Sequence, residues 1–261
     1  MSIVHNIVRT PVILITGGSK GIGLACAKKF YEDGAQVIIS ARNQENIDRA
    51  LEQLPGASGF AADLSEEMDA AFLVERIERE IGPIEVLVNS AGAARRTSPE
   101  DLTPALWRAA MDAKYFTTIN ILDPVVKLMA SRKKGVIINI IGAGGKVANP
   151  IHLAGGAANA ALMLATAGLG SAYANSGVRI IGVSPGSTET DRVNEGLAAE
   201  ARHSGISIEE AKTQLIKNIP IGRMAQPEDI AELVVFLASN KASYITGINI
   251  TMDGGQTPVV I

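Results

Sequence analysis

Three glycines place the tightest constraint on this chain. Gly17, Gly21 and Gly23 stand between an apolar run at 12–15 and an amphipathic segment at 24–31. The spacing Gly-x3-Gly-x-Gly in Thr16-Gly17-Gly18-Ser19-Lys20-Gly21-Ile22-Gly23 suits a strand that turns sharply into a helix. Backbone without side chains lets a pyrophosphate come close, and the N-terminus of the new helix faces its charge. Glycines alone also serve ordinary turns; the order strand, glycines, helix is what points to phosphate.

The rest of the sequence repeats that alternation. Short apolar runs occur at 12–15, 37–40, 59–62, 86–89, 136–140, 180–183 and 248–251, with helix-like periodicity between them. Runs that are apolar throughout, rather than alternating, belong to strands buried on both faces of a parallel sheet. The expected fold is therefore a doubly wound α/β domain over 1–261, with seven parallel strands flanked by helices. Ser65-Glu66-Glu67 and Gln226-Pro227-Glu228-Asp229 read as helix openings, and Gly34 and Gly82 as residues just past helix ends. Residues 190–219 break the alternation after a strand, where such sheets build their ligand crevice, and are expected to form a substrate lid.

Charge and composition narrow the partners. With 24 basic and 27 acidic residues among 261, the formal charge is -3, which gives no electrostatic footprint for nucleic acid. Cys26 is the only cysteine, so a reducing, cytoplasmic setting is expected. His5, His152 and His203 have no metal-ligand spacing, and no metal is expected. The N-terminus lacks the basic, apolar and small-residue succession of a secretory signal. From 147 to 178 no Asp, Glu, Lys or Arg occurs. Such a run is long enough to span a bilayer, but Asn149, Pro150, His152, Asn159, Asn175 and many small residues favour a buried helix, with no membrane partner.

The second strand ends in Ser40-Ala41-Arg42-Asn43, with no acid to hold a ribose 2′-hydroxyl. Arg42 and Lys20 can instead face a 2′-phosphate, which favours NADP(H) over NAD(H). The alternative is a pair of solvated surface charges.

Several motifs together resemble the short-chain dehydrogenase/reductase family over essentially the whole chain. They are TGGSKGIG from Thr16 to Gly23, Asp63-Leu64, Asn89-Ser90-Ala91-Gly92, and Pro185-Gly186-Ser187-Thr188-Glu189-Thr190. Gly222-Arg223-Met224, Pro227-Glu228-Asp229 and Met252-Asp253-Gly254-Gly255 continue the likeness. The resemblance implies a Rossmann-type fold, a dinucleotide cofactor and a homodimer or homotetramer. It places Gly17, Ser19, Lys20, Gly21, Ile22, Gly23 and Arg42 at the phosphates. It puts Asp63 at the adenine amine beside Leu64. Asn89, Ala91 and Gly92 border the cofactor, and Pro185, Gly186, Thr188 and Thr190 lie at its nicotinamide end.

The resemblance also implies a catalytic Asn, Ser, Tyr and Lys, the last two forming YxxxK on one helix face. This chain has no YxxxK. Four residues after Tyr31, Tyr115, Tyr173 and Tyr244 come Ala35, Ile119, Gly177 and Ile248. Counting from the neighbouring motifs puts Gly155 at the tyrosine position, Asn159 at the lysine, Gly142 at the serine and Lys114 at the asparagine. The two glycines are expected to leave room beside the nicotinamide. Lys114 and Asn159 read as an exchanged pair, unless Lys114 extends into solvent. His152, Lys146 and Tyr115 are candidate replacement acids, so the catalytic group is unassigned. Arg95 and Arg96 either receive an anionic substrate or are solvated loop charges. Three functions compete: an NADP(H)-dependent oxidoreductase with a non-standard site, a silent dinucleotide-binding protein or subunit partner, and a non-redox enzyme on the same fold.

Overall fold

The computed structural model describes residues 10–92 and 94–259. His5 and the N-terminal residues read for a secretory signal lie outside them. Seven strands, β1 (Val12–Thr16), β2 (Gln36–Ala41), β3 (Ser58–Ala61), β4 (Ile84–Asn89), β5 (Gly135–Ile140), β6 (Val178–Pro185) and β7 (Asn249–Met252), form one parallel sheet in the order β3-β2-β1-β4-β5-β6-β7. Between them run α1 (Gly21–Glu32), α2 (Gln44–Leu51), α3 (Glu67–Glu80), α4 (Pro104–Met111), α5 (Thr117–Ser131), α6 (Leu153–Tyr173), α7 (Asp191–Ser204), α8 (Ile208–Lys217) and α9 (Pro227–Ala238).

The apolar runs are buried on both faces because alternate residues serve opposite layers. Ile13, Ile15, Val37 and Ile39 pack with Cys26 and Phe30 of α1 and Ile230 and Val234 of α9. Leu14, Ile38 and Leu87 face the other way, against Leu73 and Ile77 of α3 and Ile121 and Val125 of α5. Chain order reverses between β1 and β4, so the crevice beyond their C-terminal ends is where such a sheet accepts a ligand.

The charge-free run contains α6. The stretch Pro150–Ser176 is long and apolar enough to cross a membrane by length and composition, with mean hydropathy 1.3. Its burial has a different origin. Ala154, Ala158, Leu162, Thr166 and Gly170 form one face four residues apart, and a Cβ at Gly170 would lie 2.5 Å from the Gly247 Cα. The small residues let this helix sit close to the β6–β7 edge.

Two segments take a definite local form. Ser65 does not cap α3, which opens at Glu67; its hydroxyl donates to Asp63 Oδ1 at 2.6 Å instead. Residues 190–219 are two helices, α7 and α8, which share a small core of Leu197, Ala201 and Ala211.

Candidate active site

The glycine turn sits at the C-terminal end of β1. A Cβ at Gly23 would lie 2.3 Å from the Gly17 carbonyl oxygen, and one at Gly17 would lie 2.8 Å from the Ala91 amide. Backbone meets backbone there, so only glycine keeps the turn this tight. Gly17 also has φ +65, a conformation that costs any side-chain-bearing residue. Thr16 Oγ1 accepts from the Ser90 and Ala91 amides at 3.2 Å, locking the loop after β4 to the turn. Ser19, Lys20, Gly21 and Ile22 lead into α1, whose first turn has no side-chain cap and no acidic residue. Its free amides and positive dipole end thus face the crevice without a competing anion. That cradle fits a dinucleotide pyrophosphate.

At the β2–β3 side, Asp63 is held well below the ordinary carboxylate range, first by hydrogen bonds from Ser65 and further by the charge of Arg42. Ser65 uses only Oδ1. Arg42 and Lys20 are exposed at this rim, and Leu64 is buried beneath it. Asn89 is turned inward: its Nδ2 donates to Asn139 Oδ1 at 2.9 Å, and Asn139 Nδ2 donates to Thr166 Oγ1 at 2.9 Å. These two bonds tie β4, β5 and α6 together beneath the site. Across the crevice, the loop after β6 is fixed by Gly186 N donating to Met252 O at 3.0 Å and Glu189 N to Ala225 O at 2.9 Å. Pro185 and Thr188 are buried, and the Thr190 methyl would lie 3.2 Å from a Cβ at Gly21. Thr190 thus brings the predicted nicotinamide end to the phosphate turn.

Lys114 does not extend into solvent. Between α4 and α5, residues Asp112–Phe116 form a π-helical turn, a widening that recurs at functional sites. The turn is braced by Thr117 and Thr118, whose hydroxyls donate to Asp112 O at 2.8 Å and Lys114 O at 3.0 Å. Gly92, at φ +96, packs so closely that a Cβ would fall 2.4 Å from Ala113 O. Lys114 is only 9% exposed, and Nζ donates to Ile140 O at 3.0 Å. Burial, aided by the charge of Arg192, pushes it down to about 8. Its ammonium is protonated at neutral pH yet far more acidic than an ordinary lysine.

The room expected beside Gly155 is filled. A Cβ there would lie 2.2 Å from His152 Cε1, so the imidazole occupies the volume a side chain at 155 would need. The same ring lies over Gly144, 3.2 Å from a Cβ at that position. A Cβ at Gly142 would meet Asn159 Nδ2 at 3.3 Å. His152 is pushed down to about 4, chiefly by burial and then by the charges of Arg96, Arg192 and Lys114. It is neutral at pH 7, and its Nδ1 is buried with no hydrogen-bond partner among the described residues.

The remaining candidates separate. Lys146 leaves the site, donating to Thr251 Oγ1 at 2.7 Å on β7. Tyr115 packs with Ile141, Leu162 and Met163. Arg95 and Arg96 are both exposed, and Arg96 also lies against α7, with Nε 3.1 Å from a Cβ at Gly196. Arg192, which sequence reasoning missed, joins the group from the first turn of α7 and donates to Ala94 O at 2.6 Å. No local signal in the sequence announces it, because its partner Ala94 lies about a hundred residues away in the chain. No cluster able to hold a metal ion occurs among the described residues.

The family described as enoyl-(acyl carrier protein) reductase matches residues 17–257. The 3alpha-hydroxysteroid dehydrogenase of Mediterraneibacter gnavus is 33% identical over 253 residues, covering 94% of this chain and 96% of that protein. Among solved structures, an actinorhodin polyketide ketoreductase with NADPH superposes with a TM-score of 0.92 at 28% identity, over 96% of this chain and 98% of that one. YwfH, an NADPH dependent reductase involved in bacilysin biosynthesis, gives 0.90 at 28%, over 97% and 100%. The chain belongs to the short-chain dehydrogenase/reductase family, a family of oxidoreductases that bind a nicotinamide dinucleotide.

Proposed function

We propose that this protein is an NADP(H)-dependent carbonyl reductase in which Lys114 supplies the proton and His152 orients the carbonyl. The observation that carries the reading is the buried Lys114 ammonium, fixed on Ile140 O and charge-coupled to the His152 ring packed over Gly155. Support for NADP(H) comes from Lys20 and Arg42 at an acid-free β2 end and from the NADPH named in both structural relatives. Gly17, Ser19, Gly21, Ile22 and Gly23 hold the pyrophosphate, and Asp63 with Leu64 the adenine. Ala91 and Gly92 form one wall, with Asn89 beneath it, and Pro185, Gly186, Thr188 and Thr190 hold the nicotinamide end.

When bound, the nicotinamide supplies a hydride to the carbonyl carbon. The developing alkoxide needs a proton and a charge partner, and a Lys114 ammonium near 8 offers both at neutral pH. His152, neutral there, offers a hydrogen bond without competing for that proton. Asn159 approaches Gly142 as the second polar side chain of the pocket. The family tetrad is thus replaced rather than deleted.

Gly155→Ala tests the His152 part without touching the imidazole. The new methyl expels the ring, so carbonyl reduction should fall by about 10-fold or more, matching His152→Ala, while NADPH still binds. Wild-type turnover in Gly155→Ala would remove His152 from the mechanism. NADPH bound but never consumed, across a carbonyl screen followed by nicotinamide absorbance, would instead favour a silent binding protein.

The same reading treats the chain as one dinucleotide-binding unit in which α7 and α8 cover the substrate. We place it in the cytoplasm, since its single cysteine, Cys26, is free and buried. The outer face of α6, with Leu164 77% exposed among uncharged small residues, supports pairing of two copies. Light scattering should give a dimer or tetramer, and Leu164→Glu should shift it toward monomer.

A further inference from the structure

We propose that Arg96 and Arg192, beside Lys114 and His152, form a recognition site for the carboxylate of a short oxo-acid substrate. The proposal rests on the carbonyl-reductase reading and names the substrate class for that site.

The four groups come from four parts of the chain. Arg96 follows β4, Lys114 sits in the π-helical turn, His152 precedes α6, and Arg192 opens α7. Two bonds join these parts: Thr97 N donates to Ile151 O at 2.9 Å, and Arg192 Nη2 donates to Ala94 O at 2.6 Å. The loop carrying Arg96 is thereby fixed both to the turn before His152 and to α7. Arg96 additionally rests on Gly196, where a larger residue would push it away.

The charges of all three cations bear on the His152 imidazole, and no ion pair joins any of them to a carboxylate among the described residues. Glu195 and Glu200 of α7 bear on Arg192 and Arg96 only at longer range. Like charges gathered with only distant counter-charges repel one another. A bound anion relieves that repulsion. Arg96 and Arg192 are exposed enough to receive one, while Lys114 is buried. Guanidinium forks match a carboxylate's two oxygens. A carbonyl close to that carboxylate then falls within reach of the buried ammonium.

The test is calorimetric and needs no turnover. Protein saturated with NADP+ is titrated with oxamate, an unreactive mimic of a 2-oxo acid, and in parallel with ethyl oxamate and inorganic phosphate. Oxamate should bind, with ethyl oxamate and phosphate each about 10-fold weaker or more. Arg192→Gln and Arg96→Gln should each weaken oxamate by about 10-fold, with NADP+ affinity unchanged. Equal binding of oxamate and its ester, no binding of oxamate, or a preference for phosphate would overturn the carboxylate site while leaving the reductase reading intact. Failure to bind NADP+ would overturn that reading instead.

Discussion

Lys114→Met is expected to slow carbonyl reduction by about 100-fold or more, the ordinary weight of a general acid, while NADPH binding persists. Methionine keeps the length and apolar stem of the side chain and removes only the charge and the proton. The fold should not suffer, because an ammonium confined beside Ile140 O is costly to bury. Stability supplies an independent check. In the folded chain Lys114 loses its proton near pH 8, against 10.5 in the unfolded chain. Between those values the unfolded state holds more protons, so the wild type gains stability as pH rises through that window. Relative to Lys114→Met the gain should be about 3 kcal/mol, one pKa unit being worth about 1.4 kcal/mol. Denaturant unfolding of both proteins at about pH 7.5 and about pH 10.5 measures the difference directly. A constant gap would mean that Lys114 titrates normally.

Gly23→Ala is the second large effect. Its methyl would sit 2.3 Å from the Gly17 carbonyl oxygen and 3.2 Å from the Gly18 Cα. Neither neighbour is a side chain that can swing aside, so the turn itself must open. Opening it draws Gly17 away from Ala91 and the loop after β4, and the phosphate cradle is lost. NADPH affinity should drop by about 100-fold or more, as when several charge-assisted hydrogen bonds are lost together. Stability should fall by about 1–3 kcal/mol, the usual cost of forcing volume into packed structure. Fluorescence titration with NADPH and denaturant melts read the two effects. An alanine variant that binds NADPH normally would show that the turn is looser than drawn.

The strands and the glycine turn were legible in the sequence because their signals are local. Continuous apolar runs require two covered faces, and Ile13 and Leu14 indeed serve opposite layers. Strand ends moved by a residue or two, as β6 shows by extending to Pro185. The expected cofactor rim rests on short motifs of the same local kind. The surroundings of Lys114 and His152 were not legible. Asp112–Phe116 reads as ordinary helix, and only its packing against Gly92 and its Thr117 and Thr118 bonds reveal the wider turn that sends Lys114 inward. Glycine at 155 suggested an empty space, whereas the ring of His152, three positions earlier, fills it. Asn139 and Arg192 act across strands and helices that sequence distance separates widely. Long-range proximity of that kind has no local pattern to announce it.

The charge-free run now has a structural meaning. Its apolar, small residues seat α6 against the sheet, and Asn159 stands within it where the resemblance places a lysine. A buried positive charge, Lys114, enters instead from the neighbouring π-helical turn. Lys114 and Asn159 do not bond to each other directly among the described residues; Ile140, Ile141 and Gly142 separate them along the end of β5.

The most direct test of a Lys114-centred site is the pH dependence of the hydride-transfer step, followed by nicotinamide absorbance in single turnovers of wild type and Lys114→Met. The wild-type rate of carbonyl reduction should fall as pH rises through about 8, and Lys114→Met should be slow and flat across the same range. The same ionisation in both proteins, or NADPH bound and never oxidised, would contradict it.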